Sequence, residues 1–184
     1  ETVPVVLTSD SAELYSKPDD LITVGIVDDA SQGEFDVSVS GSLGEQLLLW
    51  EVATAVASRL LGVNPFDQPD VESAKIASRS FLESQSQSVA PLFSKSGLAV
   101  SEKNLALSSD SSLEDAITSL VESAGPESYF SIHAYLDRNR DVSFEHLREM
   151  IARKTGRPTT FGWGPRFLHS TGQYHKGGPS EGVF

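Results

Sequence analysis

The stretch that decides the fold is Tyr129-Phe-Ser-Ile-His-Ala-Tyr-Leu136, which is followed by a helical pattern from Phe144 to Thr155 and by Thr159-Thr-Phe161. The first and last segments are rich in aromatic and β-branched residues, which favour strands. Gly156 marks the end of the helix between them. Strand, helix and strand in this order predict an α/β fold with a largely parallel sheet.

The remainder of the chain continues this alternation of strands and helices. Further strands are predicted at Thr2–Thr8, Leu21–Val27, Phe35–Ser40, Leu98–Val100 and Leu105–Leu107, with the start of another at Gly182–Phe184. Further helices are predicted at Leu43–Leu61, from near Pro69 to about Glu83, and at Leu113–Ser123, with a polar surface loop at Ser84–Ser88. The helix at Leu43–Leu61 is apolar almost all round, which is typical of a helix buried in a larger body.

The composition excludes several classes of function. The 184 residues include no cysteine, which rules out disulfides, thiolate catalysis and cysteine-bound metals. A net charge of −12 argues against a nucleic-acid partner. No apolar run approaches the roughly 20 residues that span a membrane, and no leader peptide is visible, so we expect a cytoplasmic protein.

The charge is unevenly distributed along the chain. Val142–Phe184 holds six basic and three acidic residues, so the acidic body ends in a mildly basic tail. Such a tail suits a small anionic ligand, although it could equally serve only to balance the charge of the body.

The most specific stretch is Ser58-Arg-Leu-Leu-Gly-Val-Asn-Pro-Phe-Asp-Gln-Pro-Asp-Val-Glu-Ser-Ala-Lys75. Gln68 and Lys75 are seven residues apart, which brings them to nearly the same face of one helix. Gln68 lies at the helix N-terminus, where free N–H groups favour anions. Lys75 can hold or protonate an oxygen, although without further context an exposed helical lysine is the simpler interpretation.

This stretch resembles the C-terminal signature of phosphoglucose isomerases, which continues Phe-Asp-Gln with Gly-Val-Glu and Lys. The same order appears here as Phe66-Asp-Gln68, Val71-Glu72 and Lys75, with Asp70 in place of the family's glycine. The resemblance implies a three-layer sandwich with a mostly parallel sheet, of the sugar-isomerase (SIS) type. Residues 1–184 would form the C-terminal SIS-like subdomain, with a glycine-rich tail over about 157–184.

The resemblance also implies the reaction. The family interconverts glucose 6-phosphate and fructose 6-phosphate by ring opening and a cis-enediol, without a metal or cofactor. The lysine that matches Lys75 assists ring opening, and the glutamine that matches Gln68 lies beside the sugar phosphate. Family members usually build this site at a homodimer interface.

Other parts of the family's site are missing from this sequence. There is no Glu-Ser-x-Gly-Lys segment for the base, no Gly-Gly-Arg-Tyr-Ser segment for the arginine, and no Ser/Thr-rich phosphate loop. We therefore expect a piece of a longer enzyme whose N-terminal part is absent, and an inactive isolated fragment.

The tail from Gly162 to Pro179 is the second distinctive stretch, with two histidines, an arginine and several hydroxyl groups among five glycines. It resembles the ending of the fused transaldolase/phosphoglucose isomerase proteins. No histidine lies between Glu1 and Lys75, so a tail histidine is the candidate for the family's ring-opening acid. His175 is the first choice and His169 the second, with a purely structural tail as the remaining alternative. Arg166 and His169 are candidate substrate-binding residues.

The other two histidines, His133 in a strand and His146 on a helix, are predicted to have core or surface roles. Four scattered histidines make a poor metal site, and no nucleotide-binding motif is present. Two other functions stay open. The chain could be a non-catalytic, regulatory module that binds a sugar phosphate, or the structural end of a protein whose main activity is transaldolase.

Overall fold

A computed structural model gives the three-dimensional structure of the chain and describes residues 2–67, 69–83, 90–102 and 104–184. The helices are α1 (Ala12–Ser16), α2 (Leu43–Leu61), α3 (Pro69–Glu83), α4 (Leu113–Glu122), α5 (His146–Thr155) and α6 (Gly172–Gly177). The strands are β1 (Val24–Ile26), β2 (Val37–Val39), β3 (Phe93–Lys95), β4 (Leu98–Val100), β5 (Tyr129–Ala134), β6 (Thr159–Trp163) and β7 (Gly182–Val183). Short 3-10 turns occupy Ala30–Gln32, Val142–Glu145 and Arg166–His169.

The chain divides into two compact units. One comprises Pro18–Ala74, and the other, called here the tail unit, comprises Glu1–Lys17 and Lys75–Phe184.

The Pro18–Ala74 unit is built from a two-stranded sheet and a long helix. Strands β1 and β2 pair in parallel, with Val24 opposite Val37. Helix α2 begins after Ser42, whose N–H and hydroxyl donate to the Glu45 carboxylate at 2.7 and 2.8 Å. It ends at Gly62, whose φ of +71° lies in the left-handed region that glycine tolerates.

Helix α2 is exposed despite its apolar sequence. Its buried residues are Gln46 and Ser58, whereas Leu47 and Leu60 are 58% and 82% exposed. The burial of α2 in a larger body therefore stays a prediction.

The tail unit is organised around a three-stranded parallel sheet in the order β6-β5-β7. Strand β5 is central, with Phe130 opposite Thr159 on β6 and opposite Val183 on β7. Strands β3 and β4 form a separate antiparallel hairpin. The small sheets are mostly parallel and alternate with helices, which confirms the α/β class.

Helix α5 connects β5 to β6 and packs against this sheet. It ends at Gly156, whose φ is +66°, as the sequence predicted. Ala152 of α5 and Phe130 of β5 are 2% and 3% exposed and belong to the core of the unit. Arg148 of α5 forms a buried ion pair with Glu13 and so attaches α1 to α5.

Two predicted strands are wrong. Thr2–Thr8 forms no ladder, although its residues alternate between exposed and half-buried; Pro4 lacks the N–H that a strand would donate. Leu105–Leu107 is irregular, and the hairpin partner of β4 is instead Phe93–Lys95, which was not predicted. The helix predicted from Phe144 begins as a 3-10 turn and becomes α-helical at His146.

The predicted loop at Ser84–Ser88 lies outside the described residues. Across the part of the chain that the structure describes, no helix combines the length and the apolar character that a membrane span requires.

Candidate functional site

One face of the central strand carries three side chains with polar groups. Tyr129, Ser131 and His133 alternate along β5, so they project to the same side of the sheet. Thr160 lies beside Ser131 in the parallel register of β6. Its hydroxyl donates a hydrogen bond to the Ser131 Oγ at 2.8 Å. The sheet thereby presents a short row of polar groups on one face of β5 and β6.

Helix α6 brings His175 to this row from 46 residues along the chain. The His175 Nδ1 lies 2.8 Å from the Tyr129 hydroxyl, and its Nε2 lies 3.3 Å from the Ser131 Oγ. Ser131 also contacts the His133 Nε2, at 2.9 Å. A hydrogen-bond chain therefore runs from Tyr129 through His175 and Ser131 to His133, and we call it the histidine chain.

Gly162 leaves room for the ring of Phe167, which packs against the histidine chain. Gly162 lies opposite His133 in the β5–β6 register, and Phe167 lies over both residues. The rings of Phe167 and His133 are stacked with centroids 4.1 Å apart. A Cβ atom at Gly162 would lie 2.9 Å from the Phe167 Cβ, which is too close. Phe184 closes another side, with its ring 5.4 Å from that of His175.

Burial favours the neutral forms of the titratable groups in the histidine chain. It lowers the pKa of His133 to about 4, with a further lowering from His175. Burial also lowers the pKa of His175. The pKa of Tyr129 is raised to about 12, mainly by burial and then by Tyr174 and Glu181. At neutral pH both imidazoles are uncharged, and the phenol keeps its proton.

A cavity of about 420 Å³ opens beside His175. Thr160, Ser170 and Thr171 line it, together with Tyr174 and the segment Thr2–Pro4. The lining is mostly apolar with a few polar groups, which is typical of a site for a small molecule.

We compared the chain with protein-family models, with curated proteins and with solved structures, and no match was found.

The predicted site residues are only partly placed by the structure. His175 lies on the cavity, whereas Arg166 is exposed on the 3-10 turn before Ser170 and is not among the cavity-lining residues. Lys75 is exposed on α3. Gln68 and the side chain of His169 lie outside the described residues. The roles of these five residues stay predictions.

Sequence analysis missed most of the histidine chain. His133 was assigned a core or surface role, and it is half-buried in the cluster; Tyr129, Ser131 and Thr160 were not selected at all. The alternation Tyr129-x-Ser131-x-His133 was the available signal, because it places three hydrogen-bonding side chains on one face of a strand.

Among the residues that the structure describes, no three histidine or carboxylate side chains cluster as metal ligands do.

Proposed function

We propose that this chain is part of an aldose–ketose isomerase that acts on a sugar phosphate, and that the sugar binds at the His175 cavity. The observation that carries the proposal is the position of His175: this residue lines the cavity, and its Nδ1 lies 2.8 Å from the Tyr129 hydroxyl. Such a site can hydrogen-bond sugar oxygens without a metal or cofactor.

The substrate pair proposed is glucose 6-phosphate and fructose 6-phosphate. It follows from the resemblance of Ser58–Lys75 to the phosphoglucose isomerase signature. Lys75 would assist ring opening and Gln68 would contact the sugar phosphate, while Arg166 and His169 of the basic tail would favour the phosphate charge.

The proposed reaction needs a carboxylate base, and this sequence lacks the Glu-Ser-x-Gly-Lys segment on which the family carries it. Ring opening breaks the bond between C1 and the ring oxygen, moves the C1 hydroxyl proton to a base and delivers a proton to the ring oxygen. Proton transfer between C2 and C1 then requires a carboxylate base. The proposal therefore includes a further, N-terminal part of the same cytoplasmic protein, fused or not to a transaldolase, that carries this base.

The larger architecture belongs to the same proposal. The tail-unit sheet would be part of a three-layer sandwich of the SIS type, and the complete protein would be a homodimer. The exposed leucines of α2 would pack against the N-terminal part.

A non-catalytic module that binds a sugar phosphate is the second candidate. It is favoured by the lowered pKa values of His133 and His175, because weakly basic imidazoles hydrogen-bond well but accept protons poorly. Asp70 at the family's glycine position adds to this case.

Glucose 6-phosphate isomerisation by the full-length protein separates the two candidates. Lys75→Ala should lower kcat/KM by a factor of about a hundred, the scale of one general acid–base group. Lys154→Ala, at an exposed lysine on α5, is the matched control and should leave activity unchanged. An active parent with equal Lys75→Ala activity would keep the function and remove Lys75 from the site. A parent that binds glucose 6-phosphate in calorimetry without turnover would establish the binding module.

A further inference from the structure

The histidine chain has a fixed direction, which follows from counting hydrogens at Ser131. A serine hydroxyl offers one hydrogen and two acceptor lone pairs. Three groups surround the Ser131 Oγ: the Thr160 hydroxyl, which donates to it, and the Nε2 atoms of His133 and His175. The hydrogen bond from Thr160 occupies one lone pair of the Ser131 Oγ. Ser131 can therefore donate its hydrogen to one of the two imidazoles and accept a hydrogen from the other. The two Nε2 atoms must therefore differ, one bearing a hydrogen and the other bare.

The Tyr129 hydroxyl decides which imidazole carries that hydrogen. Tyr129 is 2% exposed, and among the described residues its hydroxyl has the His175 Nδ1, 2.8 Å away, as its hydrogen-bond partner. Burial also raises the pKa of the phenol to about 12, so it keeps its proton. Because a buried hydroxyl hydrogen needs an acceptor, we assign the Tyr129 hydroxyl as the donor to the His175 Nδ1, which leaves the hydrogen of the neutral imidazole on Nε2. His175 then donates to Ser131, Ser131 donates to the His133 Nε2, and the hydrogen of His133 lies on Nδ1.

The contact between His175 and Ser131 is the weakest of the chain. Its length is 3.3 Å, against 2.8 and 2.9 Å for the other two hydrogen bonds of the chain and 2.8 Å for the bond from Thr160 to Ser131. His175 also lines the cavity, whereas Ser131 is 4% exposed. A ligand oxygen can therefore compete for the His175 N–H at little cost.

We propose that Tyr129, Ser131 and His133 are positioning residues that hold His175 as a neutral imidazole with its hydrogen on Nε2, so that it donates a hydrogen bond to a ligand oxygen and transfers no proton. The identity of that oxygen, the carbonyl of the open-chain sugar phosphate, rests on the proposed function. A neutral N–H aimed at a carbonyl stabilises the negative charge that develops on its oxygen in an enediol-forming step. The role differs from that of the ring-opening acid predicted from the sequence.

The tautomer is tested on the 184-residue chain without any substrate. Long-range ¹H–¹⁵N spectra at pH 7.5 distinguish an imidazole protonated at Nε2 from one protonated at Nδ1. We expect His175 in the Nε2–H form and His133 in the Nδ1–H form. Tyr129→Phe keeps the ring and removes the hydroxyl, so His175 should become a mixture of tautomers. Tyr135→Phe, the matched control at a 60% exposed tyrosine, should leave both patterns intact. A His175 protonated at Nδ1, or one indifferent to Tyr129→Phe in a folded variant, would overturn the proposal.

The chemical role is tested by kinetics of the full-length protein. Glutamine also offers an N–H donor but cannot exchange protons near neutral pH. His175→Gln should therefore keep kcat within about ten-fold of the parent, and His175→Ala should lose about a hundred-fold or more, the scale of one lost oxyanion donor. Equal losses in the two variants would mean that His175 transfers a proton. If the parent fails to isomerise glucose 6-phosphate while the spectra show the expected tautomers, the proposed function is wrong and the assigned tautomer is confirmed.

Discussion

The half-buried His133 should make the stability of this protein fall on mild acidification. Burial, with a contribution from His175, lowers the pKa of His133 from 6.5 to about 4. Between these values the unfolded chain binds a proton that the folded chain does not bind. The stabilisation is therefore fully present above pH 6.5 and is lost as the pH falls toward 4. The pKa of His175 is lowered in the same direction and adds to the effect.

The expected size follows from these two pKa values. Between pH 7.5 and pH 5.5 the free energy of unfolding should fall by about 1.3 kcal/mol on account of His133 alone. Both conditions lie above the isoelectric point of about 4.6, so the protein keeps a net negative charge.

Urea unfolding at the two pH values measures this fall, and a variant isolates the contribution of His133. His133→Gln removes the titrating ring and keeps a polar group beside Ser131, so its fall should be smaller than that of the parent by about 1.3 kcal/mol. His146→Gln replaces an exposed histidine on α5 and should keep the parent's fall. If the parent and His133→Gln lose the same free energy of unfolding, the neutral imidazole of His133 is not what makes stability depend on pH, and the reasoning is refuted.

Three further substitutions test the packing of the tail unit and the start of α4. Arg148→Met should lower the free energy of unfolding by about 3–5 kcal/mol, because it leaves the buried Glu13 carboxylate without its partner. Arg140→Met, the control at a 75% exposed arginine, should lower it by less than about 1 kcal/mol in the same urea titration. Gly162→Ala should lower the free energy of unfolding by about 1–3 kcal/mol and lower the Tm, since its methyl group would clash with Phe167. An unchanged Tm would show that Phe167 can shift without cost. Ser112→Ala should cost about 1 kcal/mol through the lost cap of α4, whereas Ser112→Gly should cost only a few tenths; equal costs would contradict the capping role.

The sequence predicted the long helices and the β5–α5–β6 unit because their signals are local. Helix α2 matches its predicted bounds, Leu43–Leu61, and α3 ends as predicted at Glu83. Glycines end α2 and α5 in left-handed conformations, and such ends depend on the residues nearest in the chain. The strand predicted at Tyr129–Leu136 was equally visible, since aromatic and β-branched residues favour strands, although it ends at Ala134 in the structure.

Strand pairing and the histidine chain were decided by the tertiary structure. Thr2–Thr8 has a strand-like sequence and no ladder, because a strand exists only where a partner backbone meets its hydrogen-bonding groups. His175 was a candidate from composition, yet its partners Tyr129 and Ser131 lie 46 and 44 residues away in the chain. The sequence alone determined which side chains could donate or accept a proton. Only the packing of α6 over the β5 face determined which of them come into contact. Contacts between distant segments depend on the register of the sheet and on helix packing, which no periodic pattern in the sequence predicts.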